Sequence, residues 1–227
     1  MPGINQIDPK PYTSKTLDAI EKAVHTAVKP YGFRKYGRTL HRFVSEDISQ
    51  VIHFQLGQAY RGETHLLFVD IGIRVPECML RSFHPEEVKK KYYHEYECNI
   101  RSRLGRIEGK AEACYDLRRS PDCILADILR QIQGLVIPAF EALNSRDAIL
   151  ALRRAYPQFD ILNNHLILLE ETMIYGRRGE TEKAVKAFQM YYHLFGSGKL
   201  AQKDPQAIQN HLRYLDGLAA ELGIEIP

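Results

Sequence analysis

Three runs between residues 37 and 75 alternate apolar with polar side chains in the two-residue rhythm of a strand: 37–44, 50–56 and 65–75, separated by 45–49 and 59–64. They are rich in β-branched and aromatic residues, and their short separations predict an antiparallel meander of three strands. Successive side chains of a strand point to opposite faces. Leu40, Val44, Ile52, Phe54, Leu56, Leu67, Val69, Ile71 and Ile73 therefore share one face, which needs a covering layer of helices or a second sheet. Thr39, His41, Phe43, Val51, His53, Gln55, Leu66, Phe68, Asp70 and Arg74 share the other. This second face mixes rings and aliphatic groups with imidazole, amide, carboxylate and guanidinium, and it is expected to be partly covered.

Helical spacing brackets the meander. Leu17, Ile20, Val24 and Val28 recur at three- and four-residue steps, predicting a helix from about Ser14, capped by Thr13 or Ser14 and stopped by Lys29, Pro30 and Gly32. Asp8, Pro9, Lys10 and Pro11 read as an extended lead-in, and 33–36 as the path back to the first strand. After Pro76 the pattern breaks into a loop with one short helix, capped by Ser82 or by His84 and Pro85. Residues 93–104 read as a fourth strand, with Cys98, Ile100, Ser102 and Leu104 on one face and Asn99, Arg101 and Arg103 on the other, and 111–117 as a fifth. Ser120, Pro121 and Asp122 then open a second long helix with a wide stripe of Ile124, Leu125, Ile128, Leu129, Ile132, Leu135 and Val136. Pro138 should kink it near its end.

From Ser145 onward the periodicity is helical. Ser145 caps a helix ended at Tyr156 and Pro157, and three more follow at about 160–175, 180–195 and 204–222, the last stopping at Gly223. The segment from Glu171 to Ala184 is similar to one tetratricopeptide-type hairpin. Such units need stacked neighbours to bury their faces, so a helical cap packed on the sheet domain is the preferred reading. The expected architecture is α+β: an antiparallel sheet of four or five strands packed by two long helices (1–144), then a C-terminal bundle of about four helices (145–227).

The helix ending at Gly32, Phe33, Arg34 and Lys35, the strand 37–42, the strand 51–55, the strand 67–73 and the run 98–105 together resemble the bacterial family catalogued as domain of unknown function 4304, over about Thr13 to Asn144. Members usually carry an aromatic-rich strand end after the Arg-Leu-Gly run. This chain has Ala113, Cys114, Tyr115, Asp116 and Leu117 there, and no tryptophan at all. The resemblance implies a sheet-and-helix fold and supplies no catalytic residues.

Composition narrows the function classes. A chain of 227 residues with 44% hydrophobic content can bury a substantial core. Its net charge of +3 is unlike the surface of a general nucleic-acid binder. Basic clusters at 89–91, 101–106 and 118–119 read as solvated faces. Cys78, Cys98, Cys114 and Cys123 have no zinc-finger spacing, which predicts free thiols in a reducing cytosol. No signal segment and no membrane span is read, so a cytoplasmic protein without membrane association is expected. Gly196, Ser197, Gly198 and Lys199 follow a helix and form a turn instead of a phosphate loop.

The candidate residues are those of the polar sheet face: His41, His53, Gln55 and Asp70, extended by Arg101 and Arg103. His41 and His53 with Asp70 would suit a metal only if the register brought them together. The preferred reading has no catalytic residue, no metal and no cofactor. It is a bacterial protein-binding module, an immunity or accessory protein that neutralises or assists a partner toxin or defence enzyme. Its docking surface would be the polar face or, if the C-terminal helices cover that face, Arg177, Arg178, Tyr191 and Tyr192 on the outside of the bundle. The alternative is an enzyme or nucleic-acid-processing module working from the polar face.

Overall fold

The computed structural model describes residues 10–45, 47–57, 65–109, 114–159, 166–196 and 205–224. The expected loop 59–64, the start of the fifth strand at 111–113, the helix start at 160–165 and the turn residues 197–199 lie outside them.

The first helix, α1 (Lys10–Val28), runs into a 3-10 turn, Lys29–Tyr31. Lys10 and Pro11, expected to be extended, belong to the helix; proline's missing N–H has no partner to lose in a first turn. The path back to the sheet is itself a strand, β1 (Arg34–Tyr36), hairpinned to β2 (Thr39–Phe43) with Tyr36 opposite Thr39. Gly37, at φ 57, takes the first turn position, where a tight hairpin needs a positive φ. β3 (Ser49–Gly57) and β4 (Leu66–Arg74) complete the predicted meander, antiparallel throughout.

After β4 come α2 (Pro76–Leu80), a strap over residues 82–99, β5 (Ile100–Arg103) and α3 (Leu104–Ile107). The short helix starts at Pro76, six residues before the expected cap, because proline presets the first turn there. The fourth strand is only its last four residues. The fifth is β6 (Tyr115–Asp116). Both pair with β4, giving the order β1-β2-β3-β4-β5 with β6 beside β5 on the same strand.

The aliphatic face is covered by α1 and by the helical run α4 (Pro121–Gln131), a π-helical turn (Ile132–Val136) and α5 (Ile137–Ala142). The π-helical turn, directly before Pro138, occupies the place of the expected kink. Proline cannot donate to the carbonyl four residues back, and a locally widened helix absorbs the loss. Leu17, Ile20 and Val24 meet Leu40, Phe54, Val69, Ile128, Val136 and Phe140 in one buried cluster. Among the described residues, Pro121–Ala142 is the helical stretch long and apolar enough to cross a membrane, and this core accounts for its composition.

Two polar residues also sit on the aliphatic face. Arg42 donates to Gln50 Oε1 (2.8 Å), the Tyr31 carbonyl (2.7 Å) and Glu141 (2.7 Å), while Gln50 Nε2 donates to the Phe140 carbonyl (2.6 Å). They tie the sheet to the ends of both covering helices, so their burial is compensated.

The C-terminal helices are α6 (Arg146–Leu152), α7 (Leu166–Arg177), α8 (Thr181–Gly196) and α9 (Pro205–Leu222). Ser145 caps α6 by accepting from the Ala148 N–H, and Gly223 closes α9 at φ 67. Ile149 and Ile174 reach the main core, while Leu169, Met173, Phe188, Tyr191, Leu215 and Leu218 build a second one that includes Phe83. The cap therefore lies beside α2 and the start of the strap, not over the polar sheet face.

Candidate functional site

Cross-strand register sets out the polar face in rows. Thr39, His53, Asp70 and Arg103 lie directly opposite one another across β2, β3, β4 and β5, and His41, Val51, Gly72 and Arg101 form the next row. Of the predicted residues, His53, Asp70 and Arg103 thus share a line. His41 sits one row away, too displaced to join a site with His53.

The strap covers this face, and sequence reasoning missed it. Tyr93 is buried over the His41 row, 5.9 Å between ring centroids, with the Arg74 guanidinium 4.0 Å above its ring. Cys98 packs on Gly72, where a Cβ would stand 2.7 Å from its sulfur; only glycine admits the strap so close. Cys98 therefore lies on the polar side of the sheet, opposite to its expected face, because the chain bends at Asn99, which breaks the two-residue alternation before β5. Its burial pushes the thiol pKa up.

His94 and Glu95 descend from the strap onto the His53 row. Thr39 Oγ1 lies 2.9 Å from His53 Nδ1 and 3.3 Å from His94 Nδ1, and His53 Nε2 lies 3.8 Å from Glu95 Oε2. Asp70 accepts from Arg103 Nε at 3.0 Å, and the Arg103 guanidinium stacks 4.4 Å from the Phe68 ring. A cavity of 280 Å³ opens beside them, lined by Gln55, Asp70, Glu95, Arg101, Arg103 and Arg106. Burial raises the Asp70 pKa against the pull of Arg103. Burial lowers that of His53, although the Glu95 charge acts the other way.

His41 has a structural part. It is 2% exposed among Tyr36, Phe43 and Tyr93, and its Nε2 meets no hydrogen-bond partner among the described residues. Burial, reinforced by the Arg74 charge, lowers its pKa from 6.5 to about 4. An unfolded chain takes up this proton near pH 6.5 and the folded one does not until about pH 4, so stability falls as pH drops across that window. The loss is about 3 kcal/mol once both states are protonated. His41→Phe is therefore expected to reduce the fall in melting temperature between about pH 7 and about pH 4.5. An unchanged acid limb in the variant would assign the effect elsewhere.

The C-terminal candidates are dispersed. Tyr191, expected on the outer surface, is 3% exposed in the second core, with its hydroxyl 2.9 Å from His211 Nε2; its α8 face is the one turned to α9. Arg178 pairs with Asp147 and Glu180, Arg177 reaches the Phe83 carbonyl at 3.4 Å, and Tyr192 stacks on Phe188.

No curated protein and no solved structure matches the chain. One family model does, over residues 24–142, from the last turn of α1 to the end of α5, which takes in the whole sheet, the strap and the second helical cover. The chain belongs to the family described as domain of unknown function (DUF4304), and the helices after Ser145 lie beyond the match.

Proposed function

We propose that this is a non-catalytic protein-binding module of the bacterial cytoplasm, an immunity or accessory factor that docks an acidic partner surface on the outside of the strap. One observation carries the reading: the strap spends its inner side on the polar sheet face and leaves rings and cations outside. Tyr36 stacks on Tyr92 at 4.7 Å, Tyr96 is 61% exposed and stacked on His94, and Val88 is 89% exposed. Lys89 lies over Phe43 at 4.7 Å and Lys91 over Tyr36 at 5.4 Å. Tyrosine anchors rimmed by cations suit a protein carrying carboxylates around an apolar contact.

The test is affinity capture from the native cells with the wild type and with Lys89→Glu/Lys91→Glu/Tyr96→Ala. One protein retained at about equal stoichiometry by the wild type, and lost with the variant at unchanged melting temperature, is the expected result. Equal capture by both would overturn the reading. A second reading, an enzyme working from the cavity, draws on the opposed pKa shifts of Asp70 and His53 beside it. It predicts turnover of a small or nucleotide substrate that His53→Ala abolishes without loss of stability.

A further inference from the structure

We infer that His53, His94 and Glu95 form a binding site for one divalent cation of the zinc type, joining the strap to the sheet. One donor atom from each lies within 4.8 Å of the others. Zinc bonds of about 2 Å place donors no more than about 4 Å apart, so side-chain adjustments of about 1 Å close the set. Two imidazoles and one carboxylate are the donors that borderline divalent ions take, and a fourth position is left for water.

Two further observations point to a cation. Glu95 Oε2 is buried and accepts no hydrogen bond from the described residues, which leaves a desolvated carboxylate oxygen aimed at the His53 ring. Such an oxygen is costly to bury unless something positive completes it. Thr39 Oγ1 meets His53 Nδ1 at 2.9 Å, holding that ring with Nε2 toward Glu95. Hydrogen bonds of this outer kind orient metal-binding histidines. Glu95 also lines the cavity that carries Arg101, Arg103 and Arg106, so an ion here has anion-binding side chains beside it.

The test uses the full chain without a polyhistidine tag, dialysed against Zn2+ and, separately, Co2+. The wild type is expected to retain one equivalent of Zn2+ and to melt higher with it. His94→Ala and Glu95→Gln, both on the strap, are expected to bind more than about tenfold more weakly and to lose the thermal shift. The Co2+ form should show ligand-field bands without a sulfur-to-metal charge-transfer band. No stoichiometric binding, binding unchanged in both variants, or a thiolate spectrum would each overturn the assignment, the last by giving the metal to cysteines.

Discussion

Arg146→Ala is expected to destabilise the protein by about 3–5 kcal/mol, the cost of leaving a buried charge without its partner. Arg146 donates through Nε and Nη2 to both oxygens of Glu77, at 2.7 and 2.8 Å, and through Nη1 and Nη2 to Asp47, at 3.0 and 2.9 Å. Glu77 is fully buried, so no water replaces the guanidinium once it is removed. The fork joins three elements distant in sequence: the first turn of α6, α2, and the turn between β2 and β3. The hydrogen bonds to Glu77 raise the pKa of Arg146, and those from Arg146 hold Asp47 below its usual range despite burial. Urea unfolding reads the loss directly. Arg146→Met/Glu77→Leu should recover most of it, since no unpaired charge remains. A cost below about 1 kcal/mol for the single variant would mean that Glu77 escapes to solvent.

Tyr93→Ala comes next, with an expected cost of about 3 kcal/mol or more, as for other fully buried rings. Tyr93 is 2% exposed and fills the space between His41, Phe43 and the Arg74 guanidinium, and its hydroxyl oxygen accepts from the Lys90 N–H at 3.3 Å. The strap has few ladder bonds of its own, and the ring is the largest of its buried side chains. The loss should therefore appear first as local opening. Amides of 84–97 are expected to exchange quickly in the variant while those of α1 and β3 keep their protection. Tyr93→Phe, which keeps the packing, should cost less than about 1 kcal/mol. Equal loss of protection across the whole chain would show that strap and sheet unfold as one unit.

The two faces of the meander were legible because strand side chains alternate whatever the partner strand does. Leu40, Ile52, Val69 and Ile71 went inward, and Asp70, Arg101 and Arg103 came out on the common polar face as expected. The four C-terminal helices were legible for a similar reason: caps and glycine stops such as Ser145 and Gly223 act within a few residues. The strap left no such trace. The strand expected from residue 93 begins only at Ile100, and the conformation of the residues before it is set by pairs such as Tyr93 on His41, made across about fifty residues of chain.

Local chemistry in the sequence was thus enough for the α+β class, the inward face of each strand, the covering helices and most of their ends. Propensity, capping and alternation all act between residues that are neighbours in the chain. Tertiary structure alone decided that His53 meets His94 and Glu95 instead of His41, that the polar face is roofed by the strap and not by the C-terminal helices, and that Tyr191 is core. These outcomes depend on register and on which surface a segment without periodicity packs against. Both are settled by burial and polar pairing between parts of the chain far apart in sequence.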